Sequence, residues 1–241
     1  MLVAAAVCPC PPLLVPAVAG GAAPEMDAAR AACADALGVL AAARPDRLVV
    51  VGPAGQDSPG GIRPHPQGAA GSFRGFGVDV DVVLGAAAPE ERPARELPVS
   101  LAVGAWLLAS VGWSAAPVTG LGVGERFAAE RCIHAGQEIA GQSDRLALLV
   151  MGDASACRTV KAPGYLDKRA AGFDEEVARA LETADVPALK ALDAELAYEL
   201  KAAGRAPWQV LAGAAEGAAL GGALLYEDAP YGVGYLVATW S

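Results

Sequence analysis

Several things are scarce in this 241-residue chain. Positive charge is thin: 18 Lys and Arg stand against 27 Asp and Glu, for a net charge of −9 and a pI near 4.7. That balance, with no basic stripe to interrupt it, argues against nucleic acid or an anionic membrane as a partner. The first Lys or Arg is Arg30, so the charged start of a secretory signal is missing although Leu2–Val7 is apolar. No apolar run reaches the ~18 residues a membrane span needs. Aromatics make up only 5% of the chain against 54% hydrophobic residues, so the core must be built from Ala, Val and Leu. The alanine excess reads as the mark of a GC-rich genome more than of function. The five cysteines, Cys8, Cys10, Cys33, Cys132 and Cys157, are odd in number and follow no paired framework. Free thiols in a soluble, cytoplasmic protein are the expectation. Histidine is scarcer still, with only His65 and His134. There is no Gly-x-Ser-x-Gly, no phosphate-cradling loop and no dinucleotide fingerprint.

Apolar strand-like runs alternate with helical patterns. Leu2–Val7 reads as a strand and Pro24–Ala43 as a helix, with Met26, Ala29, Cys33, Leu37 and Leu40 at helical spacing. Arg47–Val51 is a buried strand ending in Gly52-Pro53-Ala54-Gly55. Gln56–Gly71, with four glycines and three prolines, reads as a long loop. Val78–Leu84 alternates Val and Asp and predicts a strand with one wet face. Helices are expected over Pro98–Val111 and Gly124–Ala140, and strands over Ser114–Gly120 and Arg145–Met151. Beyond these come three helices, Asp167–Thr183, Pro187–Ala203 and Trp208–Leu220. Two closing strands, Leu224–Tyr226 and Val233–Trp240, end the chain. No internal repeat or linker divides residues 1–241, so the pattern predicts one α/β domain, a central mixed sheet with helices on both faces and a site at the strand ends.

The richest stretch is Val7-Cys8-Pro9-Cys10-Pro11-Pro12-Leu13-Leu14-Val15-Pro16, a strand running into a rigid turn with Cys10 at its tip. It resembles the first metal-binding loop of class III extradiol dioxygenases, of the protocatechuate dioxygenase beta-subunit kind, and their Memo-type relatives. In that superfamily a histidine followed by Pro-Pro binds iron. The second loop of the resemblance is Gly52-Pro53-Ala54-Gly55, where Ala54 occupies the place of another histidine ligand. The third is Gly152-Asp153-Ala154-Ser155-Ala156, where Ala156 replaces the acid/base histidine and Cys157 follows it. The segment continuing to Phe173-Asp174 also follows the family's run. The last ligand, Glu or Cys in the family, falls near Ala203 or Gly204 in the loop before Trp208. Glu199 and Glu216 lie nearby but are spaced like solvated helix residues.

The resemblance implies the family fold with a cleft at the strand ends, and Fe(II)-dependent oxygen insertion into a catechol ring as the family's reaction. At each ligand position, and at the acid/base position, this chain departs from the pattern. A non-haem Fe(II) centre wants two His and a carboxylate on one face. The expectation is therefore a dioxygenase-like protein without ring-cleaving activity and without a cofactor. Its cleft would serve a small molecule or a protein partner, with a homo-oligomer left open. The candidate cleft residues are Cys10, Ala54, His65, Asp153, Ser155, Ala156 and Cys157.

Two alternatives stay open. In one, chemistry is altered: Cys10 or Cys157 acts as a nucleophile, with Arg158 or His65 as the only local activators, or Cys8, Cys10 and Cys157 hold zinc or copper. Side chains two apart in an extended strand point the same way, which would let Cys8 and Cys10 reach one ion. In the other, the chain is a non-catalytic subunit of a larger complex. His134, in its helix, is expected to pack or face solvent. Cys33 and Cys132 are expected on apolar helix faces.

Overall fold

A computed structural model describes residues 1–55, 61–86 and 96–241. Its centre is a seven-stranded sheet in the order β3 (Ile62–His65), β6 (Val118–Val123), β2 (Arg47–Pro53), β7 (Leu146–Met151), β1 (Leu2–Cys8), β9 (Tyr235–Trp240) and β8 (Gly222–Asp228). The middle four strands are parallel: β1 (Leu2–Cys8), β2 (Arg47–Pro53), β6 (Val118–Val123) and β7 (Leu146–Met151). Apart from the half-buried Val3, Arg47 and Thr119, every residue of these strands is buried. That matches their nearly continuous apolar sequences and a sheet covered on both faces. Antiparallel strands close the edges: β3 (Ile62–His65) on β6, and β9 (Tyr235–Trp240) then β8 (Gly222–Asp228) beyond β1.

Two cores result, one per face. On one side α2 (Asp27–Ala42) and α3 (Val99–Ser110) cover Ala4, Ala6, Leu48, Val50, Ala147 and Leu149. The short α1 (Pro16–Ala19) precedes α2. A two-stranded ribbon, β4 (Ala70–Ser72) with β5 (Asp81–Val83), lies beside α3. On the other side α4 (Ala129–Ala140), α5 (Ala170–Glu182), α6 (Val186–Lys190), α7 (Ala194–Glu199) and α8 (Arg205–Ala214) pack over Val7, Val49, Val51, Leu148 and Val150. The α/β architecture expected from the sequence, a mixed sheet with helices on both faces, is what forms.

Four local expectations are corrected. Gln56–Gly71 is not all loop: β3 pairs within it, and Pro64 is tolerated because β3 is an edge strand with nothing to accept its missing N–H; positions 56–60 lie outside the described residues. Val78–Leu84 contributes only Asp81–Val83, and to the ribbon instead of the main sheet. The strand expected at Ser114–Gly120 starts at Val118 and runs through Gly120 and Gly122. Those glycines permit close approach, since a Cβ on Gly120 would lie 2.9 Å from Leu84 Cδ2. The single helix expected over Pro187–Ala203 is two, because Asp193 accepts from the N–H groups of Glu195 and Leu196 and restarts the helix as α7.

Candidate functional site

Four strand ends meet where the sequence leads one to expect a cleft: the carboxyl ends of β1, β2, β6 and β7. β1 leaves the sheet through Pro9-Cys10-Pro11, and the Cys10 N–H donates to Asp153 Oδ1 at 2.8 Å. The Gly152 N–H donates to the Cys8 carbonyl at 2.9 Å, so the loops after β1 and β7 are joined twice. Ala54 is held on the other flank, its N–H donating to the Val123 carbonyl at 2.8 Å. Its methyl group and His65 Nε2 both lie against Gly122, where an added Cβ would come within 3.2 Å of the first and 3.5 Å of the second. His65 itself is buried on β3 opposite Gly120. Cys10, Asp153 and Ala54 are thus carried by the loops at this end of the sheet, whereas His65 lies three residues back along β6, opposite Gly120, and also borders a groove with Arg47 and Thr119.

The third loop is fixed from below. Asp174 on α5, almost fully buried, accepts from the Ser155 N–H and Ser155 Oγ, both at 2.8 Å, and from Arg158 Nη1 at 2.9 Å. Burial pushes its carboxyl up, against the pull of those donors. Ser155 is therefore a structural anchor with its hydroxyl turned away from the cleft toward α5. Gly234 makes room for this clasp, as a Cβ there would sit 2.6 Å from Asp174 Oδ2. Ala156 donates its N–H to the Leu200 carbonyl and is buried.

The thiols are placed differently from one another. Cys8 faces the α2 core, where its thiol meets Cys33, and both are fully buried. Cys157 faces the opposite core and donates from Sγ to the Leu200 carbonyl at 3.4 Å. The Cys8/Cys10/Cys157 set therefore does not converge, and among the described residues no three His, Cys, Asp or Glu side chains gather as metal ligands. Nor do the residues at the two positions that the sequence resemblance gives to histidine ligands fit an Fe(II) centre: a thiol at Cys10 and a methyl group at Ala54 replace the imidazoles. Where the last ligand would fall, Gly204 offers only backbone. Its N–H donates to the Asp153 carbonyl, and its Cα lies against Gly152 and the Trp208 ring. Trp208 Nε1 is buried with no hydrogen-bond partner, but an indole N–H is a donor and cannot bind a metal.

Electrostatics disfavour a cysteine nucleophile. Burial, then the Asp153 charge, pushes the Cys10 thiol well up. Burial also raises Cys157, and Arg158, its proposed activator, is engaged by Asp174. A thiolate nucleophile needs the opposite shift. Asp153 is the unusual acid. Its carboxyl is enclosed where the two loops meet, and burial pushes it up to about 7 despite the Cys10 N–H. Tyr235, at the start of β9, is buried, and its hydroxyl is raised first by burial and then by the charges of Asp153 and Cys10. Sequence reasoning missed Tyr235, because nothing in Val233-Gly234-Tyr235-Leu236 marks a cleft residue until β9 pairs with β1.

The remaining candidates sit at the surface. His134 is exposed beside Glu138 at 3.2 Å. Glu199 pairs with Arg169 at 2.8 Å, and Glu216 pairs with Lys190 and Gln137, as solvated helix residues do. Cys33 and Cys132 are buried on α2 and α4, as expected. No helix of the described residues is long and apolar enough to cross a membrane.

No family model matches the sequence, and no curated protein does. Among solved structures the chain is similar to the crystal structure of uncharacterized protein JW3007 from Escherichia coli K12. The TM-score is 0.55 at 15% identity, covering 99% of this chain and 100% of that one. At that identity the likeness speaks for the fold alone, a mixed α/β sheet between two helical layers.

Proposed function

We propose that this protein is a relative of the class III extradiol dioxygenases and Memo-like proteins whose metal site has been lost, and that it does not cleave aromatic rings. Its cleft, in this reading, is kept for binding a small molecule. The observation that carries the reading is the convergence of Cys10, Ala54 and the Asp153–Ala156 loop at the carboxyl ends of β1, β2 and β7. These are the places the sequence resemblance gives to the metal and the acid/base group. Replacing an imidazole by a methyl group removes a donor outright. A thiol at position 10 shifts preference toward softer metals. Without an acid/base group at Ala156, proton transfer from a bound hydroxyl would lose roughly 10²–10⁴ in rate.

The loops nevertheless stay ordered by the Cys10–Asp153 bond and the Ser155–Asp174–Arg158 clasp. A scaffold held this firmly supports retention of a binding cleft. Asp153 and Tyr235 are the polar groups that stand beside Cys10 in this region. The raised thiols make a nucleophilic cysteine the weaker reading.

Anaerobic reconstitution with Fe(II), followed by a catechol panel, tests the proposal. Iron should bind no better than to a surface-adsorbed control, and no yellow ring-cleavage product should form. Stoichiometric tight iron, or turnover of any catechol, would overturn it.

A further inference from the structure

At the other end of the strands, away from Cys10 and Ala54, the sheet corner formed by β3, β6 and β2 leaves a groove of about 430 Å³. That volume falls within the range of small-molecule sites. Its walls are largely apolar: Val49, Leu121 and Pro64 from the three strands, and Ile139 from the end of α4. They share one face because register places Pro64 opposite Leu121. α4 packs chiefly on α8, which leaves this corner open.

One cation stands in the groove. Arg47 Nη1 donates to Gln142 Oε1 at 3.2 Å, and Nη2 donates to Thr119 Oγ1 at 3.1 Å. Among the described residues no carboxylate forms an ion pair with it, although acids outnumber bases in this chain. Arg30, Arg74, Arg158 and Arg169 each meet a carboxylate, and Arg145 donates to backbone carbonyls. Arg47 is instead fixed by two neutral side chains that both act as acceptors toward it. The Thr119 O–H and the Gln142 amide N–H groups are left as donors. The polar part of the groove thus presents a guanidinium, a hydroxyl and an amide donor next to an apolar wall.

We infer that this groove binds a small organic carboxylate with an apolar body, the carboxylate lying on Arg47 and the body against Val49, Leu121, Pro64 and Ile139. A planar carboxylate matches the fork of a guanidinium. The guanidinium charge favours an anion over an uncharged amide of the same shape, whose single carbonyl oxygen can accept but brings no charge to pair with Arg47. A single cation flanked by apolar walls suits a monocarboxylate better than a phosphate, which draws on several charged or backbone donors. His65 lines the groove at its β3 edge, but Cys10, Ala54, Asp153, Ser155, Ala156 and Cys157 do not, so the inference does not depend on the fate of the metal positions.

Isotope-labelled protein titrated with benzoate, and separately with the uncharged isostere benzamide, tests it through the backbone amide signals. Benzoate should shift the Gly120, Leu121 and Gln142 amides saturably at millimolar concentration, with benzamide about tenfold weaker or worse. Arg47→Gln should weaken benzoate by a similar factor, and Arg47→Lys should retain part of the affinity. Equal binding of the two probes, undiminished benzoate binding by Arg47→Gln, or no saturable shift would overturn the proposal. So would shifts centred on Cys10 and Gly152. If Arg47→Gln fails to fold, the benzoate–benzamide comparison on the unaltered protein decides alone.

Discussion

Replacing Asp153 by Asn should change how stability depends on pH. The folded carboxyl is pushed up to about 7 by burial, whereas an unfolded Asp titrates near 3.9. The folded state thus holds the proton more tightly than the unfolded chain does. Stability is fully present below the unfolded value and falls as pH rises through the window between about 4 and 7. From these two values the loss between pH 5 and pH 8 comes to about 2.5 kcal/mol. This is a ceiling, since Asp153 as a residue is only half-buried and solvent reaches part of it. Asn keeps an oxygen for the Cys10 N–H but cannot ionise, so the variant should lose this slope. Urea unfolding followed by tryptophan fluorescence at half-unit pH steps measures both curves. The informative quantity is the difference between them, which removes every other titrating group. Curves that run parallel from pH 5 to 8, or a native protein that gains stability relative to Asp153→Asn as pH rises, would refute the argument.

Other consequences are simpler to read. Thiol titration of denatured, unreduced protein should count five, and limited alkylation of the folded protein should label Cys10 first. Cys10 exposes 9% of its surface against 0–2% for the other four, and preferential labelling of Cys33 would contradict the placement of α2. Gly204→Ala should destabilise by about 3 kcal/mol or more, because its Cβ would lie 2.2 Å from the Trp208 ring; a thermal melt within a degree of the parent would disprove the packing. Asp174→Ala should cost about 3–5 kcal/mol by leaving the partly buried Arg158 charge and the Ser155 donors unpaired, and Ser155→Ala about 1–3 kcal/mol. Equal effects from the two substitutions would argue against the clasp.

Much of the fold was written in short-range pattern. The apolar runs at Leu2, Arg47 and Leu146 announce buried parallel strands, since a strand covered on both faces must be apolar at every position. The helical spacing of Ala29, Cys33, Leu37 and Leu40 announces α2 for the equivalent reason. The alternation of strand and helix was enough to imply a sheet with two helical layers. What the sequence by itself determined was therefore the set of core elements, together with the absence of histidine at Cys10, Ala54 and Ala156. Tertiary structure decided the rest, because those features depend on partners far away in the chain. β3 becomes a strand only when β6 lies beside it, and the Val82 ribbon leaves the main sheet to pack beside α3. Cys8 and Cys157 look equally available along the chain, yet the pleat and the loop after β7 send them into opposite cores. Asp153 acquires its raised pKa only from enclosure beside Cys10, 143 residues earlier. Arg47 and Gln142 are 95 residues apart, so the donor-lined groove exists only once β2 and α4 have been brought together.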